Sequence, residues 1–301
     1  MGWYKGNLHT HTSELGSEGP AAPEAVVHWY AQHGYDWLSI TDHNVLTELE
    51  TEELILVRGQ EVGKHMPGGN GPIHVNGFGI SRSVEFVDLE EKVPTMQASI
   101  DGVVAAGGIA SLNHPNDRGS FNHTHLLQTT GATLMEVFNG GGPGKNNEGG
   151  PGVPSCEEIW DNVLTSGRLI YGIATDDAHV YDEWRPDRSN PGRGWVFVWA
   201  DELSEQSVIT ALKTGSFYAS NGVTLASVEA SPSKMSLVVA GLKGESYSIT
   251  FSGNNGSVLS QTTGLEGTYT MSGEESYVRA TVSSSQGSKA WVQPVFVNAA
   301  T

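Results

Sequence analysis

Six short strand-like segments in the first part of this chain end on, or carry, side chains that can ligate a metal. They are His9-Thr-His11, Asp42-His43, Gln60-Glu61, His74, Asn113-His114 and Asp177-Ala-His179. Each belongs to a run such as Trp37-Leu-Ser-Ile-Thr, Leu54-Ile-Leu-Val, Ile73-His-Val, Gly108-Ile-Ala-Ser-Leu, Thr133-Leu-Met-Glu-Val-Phe or Leu169-Ile-Tyr-Gly-Ile-Ala. Helical stretches alternate with these runs. Pro23 to Ala31 reads as a helix with proline in its first turn and Gly34 as its stop, and Ser155 with Glu158 forms a capping box ahead of a helix ended by Gly167. Strand and helix alternation over about 200 residues predicts an α/β barrel or a doubly wound sheet. In a parallel barrel the C-terminal strand ends converge on one face, so these six segments are expected to meet.

The ligand chemistry is imidazole and carboxylate without thiolate, which suits Zn, Mn or Fe(II). A single His-x-His is weak evidence, since on a strand it only puts two rings on one face. Recurrence beside carboxylates and small residues is what ordinary core or surface histidines do not show. His28, His33, His65, His123 and His125 read as surface residues, the last two also as candidates for substrate contact. All eleven histidines precede residue 180, and from about Val223 the texture becomes Ser/Thr-rich with alternating runs at Lys234–Ala240, Tyr247–Phe251 and Tyr277–Val282. This predicts a barrel over residues 1–222 and a small all-β, sandwich-like domain over 223–301.

Other chemistries have less support. The run Asn139-Gly-Gly-Gly-Pro-Gly-Lys145-Asn146 imitates a phosphate loop but lacks its first glycine and its final Ser/Thr, and reads as an active-site loop. No Gly-x-Ser-x-Gly elbow exists, and Cys156, the one cysteine, has no neighbouring histidine. A net charge of −18 disfavours a nucleic-acid partner, and no apolar run approaches the length of a membrane span. The lone cysteine and the polar N-terminus fit a cytoplasmic location.

Taken together, His9-Thr-His-Thr with Ser17-Glu-Gly and Pro23-Glu, Thr41-Asp-His-Asn, Gln60-Glu with His74, Asn113-His-Pro and Asp177-Ala-His resemble the motifs of the PHP (polymerase and histidinol phosphatase) superfamily of metal-dependent phosphoesterases. Glu136-Val-Phe-Asn-Gly, Glu158-Ile-Trp-Asp, Gly215–Gly222 and the tail's Tyr277-Val-Arg-Ala with Ala290-Trp-Val-Gln-Pro resemble its carbaryl hydrolase-like branch. The resemblance implies a distorted (β/α)7 barrel and nine ligands, His9, His11, Glu18, His43, Glu61, His74, His114, Asp177 and His179, for two or three divalent ions (Zn, Mn or Fe). Glu18 stands where the family more often has Asp or His. Glu61 is expected to bridge two ions, Asp42 to orient a ligand or water, and His179 to act at the reacting centre. Arg118, Lys145 and Arg185 are expected to offer cations to a phosphate. The implied activity is hydrolysis of a small phosphate mono- or diester by a water held between metals. The alternatives are a carboxyl- or carbamate-ester hydrolase and a non-catalytic metal-binding module.

Overall fold

A computed structural model of the chain describes residues 1–13, 21–66 and 71–297. Glu18 and its neighbour Ser17 lie outside the described residues. The first part runs β1 (Gly2–Asn7), α1 (Pro23–Gln32), β2 (Trp37–Leu38), β3 (Ile55–Leu56), β4 (Gly59–His65), β5 (Pro72–Phe78), α2 (Lys92–Ala105) and β6 (Ile109–Leu112). It continues with α3 (His123–Leu126), β7 (Ala132–Asn139), α4 (Cys156–Thr165), β8 (Tyr171–Thr175), β9 (Trp195–Ala200), α5 (Glu205–Thr214) and β10 (Phe217–Ser220). The remainder is all strand: β11 (Leu225–Ser231), β12 (Lys234–Val239), β13 (Tyr247–Ser252), β14 (Val258–Thr263), β15 (Glu266–Thr270), β16 (Tyr277–Ser284) and β17 (Lys289–Phe296).

The helices form where the sequence has both a stripe and a stop. In α1 the buried positions Pro23, Val26, Val27 and Tyr30 follow helical spacing, and Gly34 takes a φ of 72° just beyond the C-terminus. In α4 the Ser155 hydroxyl accepts from the Glu158 amide while the Glu158 carboxylate accepts from the Ser155 amide, and Ile159, Trp160, Val163 and Leu164 are buried. β1 crosses close to β2 because Gly6 leaves room for the Trp37 ring, which a Cβ at that position would meet at 2.1 Å.

The strands of the expected distorted (β/α)7 barrel fall into two sheets, and among the described residues their ladders do not close into one ring. One has the order β4-β5-β6-β7-β8, in which β5 runs antiparallel to both neighbours while β6, β7 and β8 are parallel. The other contains β1, β2 and β3 in parallel, with β9 antiparallel to β1. Among the described residues only the isolated bridges Thr10↔Ala178 and His43↔Glu61 join the two, and both lie among the metal-type side chains. Ladder pairing stops early because β2 and β3 are two residues long each, leaving little backbone to continue the ring.

Two strands absent from the sequence reading, β9 and β10, connect the parts of the molecule. β10 pairs with β17, so a nine-stranded sheet runs β14-β13-β16-β17-β10-β9-β1-β2-β3. A second antiparallel layer, β11-β12-β15, faces it across a core that includes Leu225, Met235, Leu237, Ile249, Phe251 and Val282. The main core under the first part holds Trp37, Phe78, Met96, Trp160 and Ile173, and takes in Tyr277 and Trp291 from the C-terminal strands.

Candidate metal centre

Backbone hydrogen bonds bring the ligand-bearing segments together directly. The Asp177 amide donates to the His9 carbonyl and the His11 amide to the Ala178 carbonyl. Likewise Glu61 donates to Asp42, Asn44 to Glu61, and Asn113 to His74. His114 and Asp177 have positive φ angles of 31° and 48°, a region that non-glycine residues enter at a cost, so the surrounding bonds hold both turns in place.

Glu61, on β4 and 1% exposed, sits at the middle. Its Oε1 lies 3.0 Å from His74 Nδ1, 3.2 Å from His9 Nε2 and 3.4 Å from His114 Nε2. Its Oε2 lies 3.1 Å from His43 Nδ1 and 3.4 Å from His11 Nε2. The two oxygens of one carboxylate thus face different histidine sets. Asp177 Oδ1 is 3.3 Å from both His9 Nε2 and His11 Nε2, and 3.6 Å from His179 Nδ1. The His11 and His179 rings stack at 4.1 Å, and those of His11 and His43 at 4.6 Å.

Charge states follow from this crowding. Burial alone would raise the Glu61 carboxyl, but His74, His9 and His43 outweigh it and hold it well below its ordinary range. Asp177 is likewise depressed against its burial by His9 and Lys145. Burial, then the neighbouring His179 and His43, push His11 well below the ordinary imidazole value, which leaves it neutral with a lone pair to give. His9 goes the other way, because Asp177, Glu61 and Glu136 overcome its desolvation.

These residues fit divalent cations. His9 Nε2 and both ring nitrogens of His11 are buried without a hydrogen bond, although carboxylate oxygens stand 3.2–3.4 Å from the two Nε2 atoms. Unsatisfied buried polar atoms are costly, and nitrogens and oxygens that converge without pairing mark a shared third partner. Ligand atoms held about 2.0–2.2 Å from one ion stand roughly 3.0–3.5 Å from each other, matching the spacings here. Among the described residues three overlapping groups bring one ligand atom from each member within 4.8 Å of the others: His9/His11/Glu61, His43/Glu61/His74 and His11/His43/His179. The arrangement is that of a polynuclear metal site.

Around the ligands lies a second set of polar residues, chief among them Glu136 on β7. Its Oε1 accepts from His9 Nδ1 at 2.7 Å and from the Thr175 hydroxyl at 2.7 Å. Its Oε2 accepts from the His114 amide at 2.6 Å and from Asn139 at 2.7 Å. With His9 Nδ1 held by Glu136, His9 Nε2 points at the centre, where a bound ion would displace its proton. Sequence reading did not assign Glu136 to the site; the available signal was a carboxylate inside the apolar run Leu134-Met-Glu-Val-Phe. Asn113 Nδ2 donates to Glu61 Oε1 at 2.8 Å. Asp42, fully buried, accepts from the Thr12 amide and hydroxyl, each at 2.6 Å, and from the Thr47 hydroxyl.

An open cavity of about 410 Å³ leads to the centre, lined by His43, Glu61, His74, His114, Asp177 and His179 together with His65, Asp117, Arg118, Gly141, Gly144, Lys145 and Ser189. Of the three cations singled out from sequence, Arg118 stands at this mouth, largely exposed. Lys145 is turned inward onto Asp177 and Asp117. Arg185 lies outside the lining and forms ion pairs with Glu183 and Asp187. His65 is exposed, as expected, and lines the mouth with its ring 5.7 Å from that of His74. His28 pairs with Glu53, His33 stacks on Trp29, and His125 caps α3, all away from the lining.

The chain matches, over 94% of its length and 90% of the other, the crystal structure of a two-domain protein containing a predicted PHP-like metal-dependent phosphoesterase from Bacteroides vulgatus ATCC 8482, with a TM-score of 0.52 and 16% identity. A lesion-specific endonuclease from Pyrococcus furiosus matches over 71% of this chain and 56% of its own, with a TM-score of 0.44 and 12% identity. No protein-family model and no curated protein matches the chain. The first likeness establishes a shared mixed α/β, two-domain fold.

Proposed function

We propose that the chain is a metal-dependent hydrolase and, within that class, a phosphoesterase acting on small phosphate mono- or diesters. The observation that carries this reading is Glu61, one buried carboxylate whose two oxygens face separate histidine sets. Two or three divalent ions (Zn, Mn or Fe), when bound, supply Lewis acidity toward the ester and lower the pKa of water. The protein's part is to hold and shield that centre. His9, His11 and Asp177 would hold one ion with Glu61, and His43 and His74 a second with the same carboxylate, while His114, His179 and Glu18 would complete the set. Glu136 fixes the tautomer of His9, and Asp42 ties the turn after β1 to the turn after β2. His179 is half-buried at the mouth with Nδ1 2.9 Å from the Asp177 carbonyl, so Nε2 would be its ligating nitrogen at the reacting centre. Arg118 is the side chain placed to meet an anionic substrate group.

A covalent route has no support in Cys156. The thiol is buried, and desolvation followed by the nearby Glu136 pushes it up to about 12, far from a reactive thiolate. The free, buried thiol also suits a reducing cytoplasm. A carboxyl- or carbamate-ester hydrolase would use the same residues, its support being the sequence likeness to the carbaryl hydrolase-like branch. A panel of nitrophenyl phosphate, bis-nitrophenyl phosphate, nitrophenyl acetate and a naphthyl carbamate, run with Mn(II) and after chelation, tests the proposal. Metal-dependent turnover of a phosphate ester supports it. Turnover confined to the acetate or carbamate moves the chain to the alternative, and no turnover of any leaves a binding module.

A further inference from the structure

Lys145 lies outside the expected ligand set, yet its side chain is only 16% exposed beside the centre. Nζ is 2.6 Å from Asp177 Oδ2 and 3.0 Å from Asp117 Oδ2. The two oxygens of Asp177 are thereby divided. Oδ1 faces His9, His11 and His179. Oδ2 is taken by Lys145 and, at 3.2 Å, by Asn139 Nδ2.

The glycine-rich loop after β7 is shaped for this contact. A Cβ on Gly141 would meet Lys145 Cε at 2.7 Å, Asn139 Oδ1 at 2.8 Å and Asp177 Oδ2 at 3.0 Å, so only glycine lets the backbone lie flat against the pair. The loop is tied down on its far side, where Asn116 donates to the Asn146 and Pro154 carbonyls and Asn147 exchanges hydrogen bonds with Asn139. An ammonium spent on two carboxylates is poorly placed to meet a substrate phosphate, which is the role its sequence context suggests.

We propose that Lys145 is a positioning residue: with Asn139 it holds Oδ2 of Asp177, so that Oδ1 alone is presented to the histidines as a one-oxygen ligand. This rests on the metal-centre reading above. Without the ammonium, Asp177 is free to rotate and offer both oxygens, and the cluster loses a fixed counter-charge. Partners that orient a ligating carboxylate are typically worth about 10–100-fold in metal affinity.

The test is calorimetric titration of metal-stripped protein with Mn(II), on the wild type, Lys145→Gln, Lys145→Arg and Gly141→Ala, with circular dichroism to verify the fold. In parallel, inorganic phosphate is measured as an inhibitor of the Mn(II)-saturated protein. The expected result is a loss of at least tenfold in Mn(II) affinity for Lys145→Gln, partial recovery in Lys145→Arg, and a loss in Gly141→Ala, where lysine is kept but displaced. Phosphate should bind the saturated Lys145→Gln protein within about threefold of wild type. Unchanged Mn(II) affinity in Lys145→Gln overturns the proposal, and does so most clearly if phosphate binding falls tenfold, since Lys145 is then a substrate contact. A wild type that takes up no Mn(II) overturns the metal-centre reading itself, and the positioning role with it.

Discussion

Glu61 and Glu136 are both fully enclosed carboxylates within one cluster, and their partners separate their tasks. Glu136 is saturated by four donors from the protein, whereas Glu61 receives one amide donor from Asn113 and otherwise faces ring nitrogens. Glu136→Gln should therefore keep the ligands but unsettle His9, lowering Mn(II) affinity by about 10–100-fold in equilibrium titration. Glu61→Gln removes the shared charge itself and should lower the number of ions bound, read by elemental analysis after gel filtration. Cys156→Ala should leave metal content and turnover within about twofold, given the buried, protonated thiol; a large loss of activity would revive a covalent route. The gathering of these histidines with Asp177 was legible in sequence because each stands beside a turn at one end of a strand-like run. Glu136 was not, since a carboxylate inside an apolar strand becomes meaningful only when His9 and the His114 amide are seen to reach it. Arg185 was misleading for the converse reason: its context resembles a substrate loop, but Glu183 and Asp187 two residues to either side claim its guanidinium.

Among the elements, β5 explains how His74 joins the centre from a strand running against its neighbours. The strand enters the sheet at the metal end, so His74, its third residue, lies opposite Gly63 of β4 and one position beyond Leu112, the last residue of β6. Periodicity marks such a strand but not its direction. α4 makes the main polar contact with the C-terminal strands. Arg279 on β16 forms a two-pronged pair with Asp161 at 2.6 and 2.7 Å, and Tyr277 donates to the same carboxylate at 2.8 Å. Arg279→Ala strands a buried carboxylate and should cost about 3–5 kcal/mol in denaturant unfolding. One turn earlier, Glu157 is paired with Lys289 at 2.9 Å and Arg279 at 3.3 Å. Burial would raise its carboxyl, but Arg279 and Lys289 prevail and lower it. A depressed folded-state value means that the unfolded chain binds the proton more readily. Glu157 therefore stabilises fully above the ordinary glutamate value of about 4.3, and that contribution fades as pH falls through the lower folded value. Glu157→Gln should be less stable than wild type at neutral pH, with the gap closing in acid. A gap that widens in acid would reverse the assignment.

For the whole molecule, the change of texture near Val223 was legible, but the continuity of the sheet across it was not. β9 and β10 are ordinary apolar alternations, and nothing in them announces that β17 will pair with β10 or that Trp291 and Tyr277 will enter the other part's core. A chain ending at residue 222 would leave β10 with an open edge and the Tyr218 hydroxyl without the Leu225 amide it accepts from. Reduced solubility and a lowered unfolding midpoint are expected, with the ligand residues all still present. Every part of this reading depends on more than one ion gathering around Glu61. Equilibrium dialysis of metal-stripped, full-length protein against Mn(II), followed by elemental analysis, measures that directly. About two or more ions per chain are predicted; fewer than one ion per chain, in protein shown to be folded, would contradict it.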